Sequence, residues 1–153
     1  MNRHLIFVSS PQKEFAKVRK DLCYAILTDP YFKEYFDVFL FENLPAHRQN
    51  PEGIYLDKVT ASSIYLGIFG RTYGSCGEDG ISATEKEFAY ATGLTKDRII
   101  FVKQLRRGET RDPKMEALIG KASTAVSYKE FRTTAELQRD VMRSLLLWQQ
   151  ERR

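Results

Sequence analysis

A chain of 153 residues with a formal net charge of +4 and 42% apolar residues can bury one core and leaves little room for a second. The mild charge is spread along the chain and argues against a dense, one-sided nucleic-acid footprint. Its cysteines, Cys23 and Cys76, are far apart and lack CxxC spacing, which argues against a disulfide framework and suits a reducing compartment.

His4–Ser9 is a compact apolar run closed by Ser10-Pro11. Both of its faces carry apolar residues, as in a strand buried within a parallel sheet. The run is too short to span a membrane, and no signal peptide is visible, so a cytoplasmic protein is expected. From Gln12 to about Thr28 the period changes, with Phe15, Val18, Leu22, Ala25 and Ile26 at helical spacing. Cys23 falls in this stretch and reads as a buried thiol. Asp29-Pro30 stops the helix. Phe36–Phe41 reads as the second strand, and Glu42 opens a polar loop. A second helix follows from Pro51 to Ser62, then a central third strand, Ile64–Phe69.

A glycine-rich loop, Gly70–Gly80, leads to a third helix starting at Ser82. Ser82 and Glu85 match the S-x-x-E capping box, in which each side chain satisfies a backbone N–H of the first turn. Arg98–Val102 is the fourth strand, and Asp112–Ile119 a short helix. Ala125–Tyr128 reads as a weak fifth strand. Thr134–Gln150 closes the chain as an amphipathic helix carrying Leu137, Val141, Leu145 and Trp148. Strict alternation with helix-length crossovers implies parallel strands. The expected fold is therefore α/β and flavodoxin-like, with a five-stranded parallel sheet in the order 2-1-3-4-5 and helices on both faces.

In such a sheet ligands bind outside the carboxyl ends of the strands, where the strand order reverses. That places Ser9, Ser10, Glu42, Gly70, Arg71, Tyr73, Gly74 and Lys103 around one crevice. Ser9 and Ser10 suit a phosphate or a ribose, although Ser10 is also well placed to cap the first helix. Arg71 suits an anion, because its fork matches phosphate oxygens. Tyr73 could stack on a base. The loop matches neither a Walker A motif nor G-x-G-x-x-G, so its glycines equally suit a connection that needs positive φ. Glu87 sits one turn into the third helix, beside the mouth of the crevice. A carboxylate there can attack a sugar C1′ or stabilise an oxocarbenium-like charge, and it can equally be an exposed helical Glu. His4 and His47 form no cluster with metal-ligand spacing, so no metal is expected.

Three ordered segments, Ile6–Ser10, Leu66–Gly74 and Ser82–Ala91, resemble a prokaryotic family of uncharacterised TIR-like domains. Its members carry an F-[IV]-S-S-T strand, a G-x-x-Y-G loop and a T-E-x-E-[FY] helix start. The resemblance implies one TIR-like domain over residues 1–153, of the kind that stands as the N-terminal module of a longer regulatory or defence protein. Self-association and an attached C-terminal effector or DNA-binding domain are the partners it implies.

The same helix resembles that of the nucleoside 2-deoxyribosyltransferases, with Glu87-Phe88-Ala89-Tyr90-Ala91 against E-x-G-x-A. TIR domains that cleave NAD also use a glutamate there. Both likenesses imply Glu87 as the catalytic residue and NAD, another nucleotide or a nucleoside as ligand, with no firm cofactor. Two departures stand out. Ser62-Ser63 replaces an Asp before the third strand, which the resemblance reads as a lost contact to sugar hydroxyls. Pro11 replaces the usual threonine after the serine pair. Three functions follow: a regulatory module with a nucleotide site, an N-glycosidase or transferase acting through Glu87, and a DNA-associated regulator using the basic segment 103–111.

Overall fold

The computed structural model describes residues 3–46 and 50–152, so His47 lies outside the described residues. In chain order the elements are β1 (His4–Ser9), α1 (Gln12–Thr28), α2 (Phe32–Tyr35), β2 (Phe36–Phe39), a 3-10 turn (Phe41–Asn43), α3 (Pro51–Ala61), β3 (Ile64–Phe69), α4 (Ala83–Gly93), β4 (Asp97–Lys103), α5 (Pro113–Ala125), β5 (Lys129–Phe131) and α6 (Thr134–Glu151). The five strands form one sheet in the order β2-β1-β3-β4-β5, and every pairing is parallel. The expected fold class and strand order are those observed.

Alternation along the strands divides the core into two layers. Ile64, Leu66 and Ile68 of β3 face a layer that includes Phe15, Leu22 and Ile26 of α1 and Leu137, Val141 and Leu145 of α6. Tyr65 and Phe69 face the other layer, with Val59 of α3, Phe88 of α4 and Met115 and Leu118 of α5. All six residues of β3 are buried, as a central strand covered on both faces requires.

Helix ends follow local chemistry. The Asn50, Ser82, Asp112 and Thr133 side chains each accept a first-turn N–H, of α3, α4, α5 and α6 respectively. At Ser82 only half of the expected box forms. Ser82 Oγ takes the Glu85 N–H at 3.1 Å, but the Glu85 carboxylate turns to Tyr73 Oη and Lys121 Nζ, each at 2.7 Å. The expected cap at Ser10 is not used either. Pro11 occupies the N-cap position of α1, and no side chain caps that helix.

Three boundaries differ from expectation. The second strand ends at Phe39, because Phe41–Asn43 winds into a 3-10 turn. Four residues before it form α2, whose first N–H groups go to Asp29 Oδ1 from Tyr31 at 2.8 Å and Phe32 at 3.0 Å. The fifth strand is Lys129–Phe131, not Ala125–Tyr128. Met115, Leu118, Ile119 and Ala122 keep helical spacing and extend α5 to Ala125. A three-residue edge strand with one buried side chain, Phe131, shows no period of its own. Its position is set by pairing with Phe101–Lys103 of β4.

No helix among the described residues is long and apolar enough to cross a membrane.

Candidate active site

The strand order reverses at β1, which lies between β2 and β3. Connections diverge there, and a cleft opens outside the carboxyl ends of β1 and β3. Its volume is about 1070 Å³, ample for a small-molecule ligand. Ser10, Arg71, Tyr73, Gly74, Glu87 and Lys103 line it. The first turns of two helices also border it, through Gln12 and Lys13 of α1 and Ala83 and Thr84 of α4.

Glu87 is half-buried. Ser9, fully buried at the end of β1, donates its hydroxyl to Glu87 Oε1 at 2.6 Å. Burial pushes the Glu87 carboxyl up to about 7, against the opposing pull of the Ser9 hydrogen bond and the Arg19 charge. A carboxylate removed from water is harder to ionise, and one hydroxyl does not restore what water supplied. Glu87 is thus poised between its two protonation states near neutral pH, as reacting carboxylates often are.

Behind this pair lies a second, fully paired one. Arg19 of α1 is 2% exposed. It donates Nε to Glu42 Oε2 at 2.8 Å and a terminal nitrogen to Glu42 Oε1 at 2.9 Å. Its other terminal nitrogen reaches Ser10 Oγ at 2.8 Å. Burial alone would raise the Glu42 carboxyl, but the Arg19 hydrogen bonds outweigh it and hold Glu42 below its ordinary value. The geometry is bidentate, the arrangement that makes a buried guanidinium tolerable. The Ser10 hydroxyl is therefore an acceptor for Arg19, not a helix cap.

The loop after β3 is held from inside. The Glu14 carboxylate accepts the Arg71 N–H at 2.9 Å, the Thr72 N–H at 2.9 Å and the Thr72 hydroxyl at 2.8 Å. Gly70 makes this close approach possible. A Cβ there would lie 2.3 Å from Glu14 Oε2 and 2.6 Å from the Phe15 ring. Gly74 has φ of 92°, in the left-handed region that favours glycine.

Arg71 reaches the cleft, with Nε donating to the Thr110 carbonyl at 3.0 Å and a terminal nitrogen 3.2 Å from Glu109. Tyr73 is 5% exposed. Its hydroxyl donates to Glu85, and Lys114 Nζ stands 5.6 Å from the ring centroid. The structure thus gives Tyr73 an anchoring role between loop and α4, where an open stacking face was expected. In the basic segment, Arg111 is an internal staple that donates to the Gly70 carbonyl at 2.9 Å and the Lys103 carbonyl at 2.5 Å.

Of the two departures noted in the sequence, one needs correction. Ser62 and Ser63 precede β3 and lie at the opposite end of that strand from the cleft, with Ser62 Oγ donating to the Val59 carbonyl. A carboxylate there would not reach a ligand in this cleft, so their identity says nothing about sugar binding. Pro11, by contrast, matters at the site, because it leaves the first turn of α1 uncapped beside the cleft.

Arg19 and Glu14 were missed as site residues. Arg19 had a legible signal, a charged residue in step with the apolar stripe of Phe15, Leu22 and Ile26. Glu14 had none, since its partners lie 57 and 58 residues away.

The fold is shared with solved structures at TM-scores above 0.5. A CMP N-glycosidase from Clostridium botulinum is 13% identical, with a TM-score of 0.57 over 90% of this chain and 96% of that one. A conserved protein from Enterococcus faecalis V583 is 12% identical, with a TM-score of 0.53 over 94% and 99% of the two chains. A 2-desoxiribosyltransferase from Leishmania mexicana is 15% identical, with a TM-score of 0.49 over 67% of each chain. No curated protein matches the sequence. One family profile does, over residues 5–146, and the chain belongs to that family, the domain of unknown function DUF4062.

Proposed function

We propose that this domain cleaves the N-glycosidic bond of a nucleotide or nucleoside, with Glu87 as the carboxylate that meets C1′. The observation that carries this reading is the Ser9–Glu87 pair at the switch-point cleft, with its carboxyl pushed up to about 7. Support comes from the shared fold of an N-glycosidase acting on CMP.

In the proposed reaction Glu87 Oε forms a bond to C1′ as the C1′–N bond breaks. The bonding pair leaves with the base, which takes a proton from solvent. Water then attacks C1′, the Glu87 ester bond breaks, and the water's extra proton returns to solvent. Arg71, Lys103 and the uncapped first turn of α1 face the anionic or hydroxyl-rich end of the ligand. Ser10 fixes Arg19, and Gly70 and Gly74 shape the wall. NAD is a substrate candidate on the same chemistry.

The test is incubation with nucleoside monophosphates, deoxynucleosides and NAD, with released base measured by chromatography. Release that falls by on the order of 10³-fold or more in Glu87→Gln is expected. No release from any of the three classes, or release undiminished by the substitution, would sink the reading.

The TIR-like regulatory reading, with self-association and an attached effector, rests on the three sequence motifs. The DNA-associated reading, which rests on segment 103–111, has the least support, because Arg111 is spent on internal carbonyls.

A further inference from the structure

Tyr65, in the middle of β3, is fully buried, and no hydrogen bond satisfies its hydroxyl. Buried hydroxyls almost always have a partner, so this one requires an account. In the β1–β3 ladder Tyr65 pairs with Phe7 and Gly67 pairs with Ser9. Side chains alternate along a strand, so Tyr65 and Ser9 share one face.

The Tyr65 ring stacks on Phe7 at 6.4 Å and meets Phe88 edge-on at 5.8 Å. It leans forward over Gly67. A Cβ at Gly67 would lie 3.0 Å from Tyr65 Cε1 and 3.2 Å from the Phe69 ring. The missing side chain therefore leaves the ring its path along the strand toward Ser9. Burial holds the Tyr65 hydroxyl protonated, well above its ordinary range. The Ser9 hydroxyl acts against that rise and the Glu87 charge adds to it. Tyr65 is thus a permanent donor beside the Ser9–Glu87 pair.

We propose that Tyr65 is a positioning residue for Glu87, its hydroxyl donating to Ser9 Oγ while Ser9 donates to Glu87. Ser9 has one proton and two lone pairs. Occupying a lone pair from behind commits that proton to Glu87 and strengthens the bond it makes. The other groups acting on Glu87 are Arg19 on α1 and Glu42 on the 3-10 turn. Tyr55 on α3 feels its charge in turn.

The catalytic meaning of this chain rests on the glycosidase reading, but its test does not require turnover. The probe is the ¹³C carboxyl signal of Glu87 in labelled protein, assigned by its loss in Glu87→Gln and followed against pH. Tyr65→Phe should move the midpoint up by about half a pH unit, a threefold change in proton affinity, and Ser9→Ala further. Adding Tyr65→Phe to Ser9→Ala should change nothing more. An unchanged midpoint in Tyr65→Phe, or an equal shift in both backgrounds, overturns the proposal. In the unaltered protein a cross-peak between the Tyr65 hydroxyl proton and the Ser9 methylene is expected, and its absence counts equally against it. Failed base release with a shifted midpoint would sink the glycosidase reading alone.

Discussion

The two ends of the sheet solve the same problem differently. At the amino end most charged and polar side chains meet near solvent and find partners, Arg98 Nε being an exception. Asp97 accepts the Trp148 indole N–H at 2.7 Å and also pairs with Arg152, whose guanidinium lies 4.2 Å from the Trp148 centroid. His4 bonds to Ser63 at 3.1 Å, and Lys96 donates to the Thr60 and Ser62 carbonyls at the end of α3. At the carboxyl end the charges go inward. Arg19 is buried against Glu42, Glu87 has a hydroxyl where an ion pair would be expected, and the Tyr65 hydroxyl is fully buried. Burying polar groups with too few partners costs stability. A raised carboxyl set among buried polar groups at a cleft is a pattern that reacting groups often show.

That contrast can be broken by measurement. The largest effect is expected at Arg19. Glu42→Gln leaves the Arg19 guanidinium, 2% exposed, without its carboxylate and should lower unfolding free energy by about 3 kcal/mol. Arg19→Met with Glu42→Gln should recover much of that loss. Denaturant melts in which the double variant is no better than the single would show that the pair is not the source.

Gly70→Ala should cost about 2 kcal/mol, because its methyl group meets Glu14 and Phe15. The strain should appear as a loosened 70–74 loop in amide exchange. A variant as stable as the parent would mean that the Glu14 clamp yields freely.

Glu87→Gln should act in the opposite direction. Its carboxyl is raised from 4.5 to about 7, so the folded chain holds this proton more tightly than the unfolded one. Stability is then lost as pH rises through that window. After allowance for partial exposure, Glu87→Gln should be more stable than the parent by about 1–2 kcal/mol at pH 8. The margin should vanish below about pH 4.5, where both states are protonated. A margin independent of pH would contradict the burial argument.

The smallest effect belongs to the amino end. Asp97→Asn should change stability by less than about 1 kcal/mol, since Asp97 and Arg152 are both half exposed. A larger loss would show that this end, too, carries buried electrostatics.

Much of this was legible beforehand, for identifiable reasons. β1 and β3 announce themselves because both faces of each are apolar. α1 and α6 do so because Leu22 and Ile26, or Leu137 and Leu145, recur at helical spacing. β5 was not legible, because its position depends on pairing with β4 rather than on any period of its own. Crossover geometry alone puts Ser9 and the 70–74 loop at the same end of the sheet. The partners of Glu14, Arg19 and Ser10 were hidden, since each lies on a different element or loop.

The periodicity and the turn residues, then, determined the class of fold, the strand order and the end of the sheet where the cleft opens. Element types are set by neighbours within a few residues, and the strand order by alternation and the handedness of crossovers. Which carboxylates are paired, and which is left with a lone hydroxyl, was decided only when distant segments packed. Hydrogen bonding and desolvation act over a few ångströms, and spacing along the chain carries no record of them.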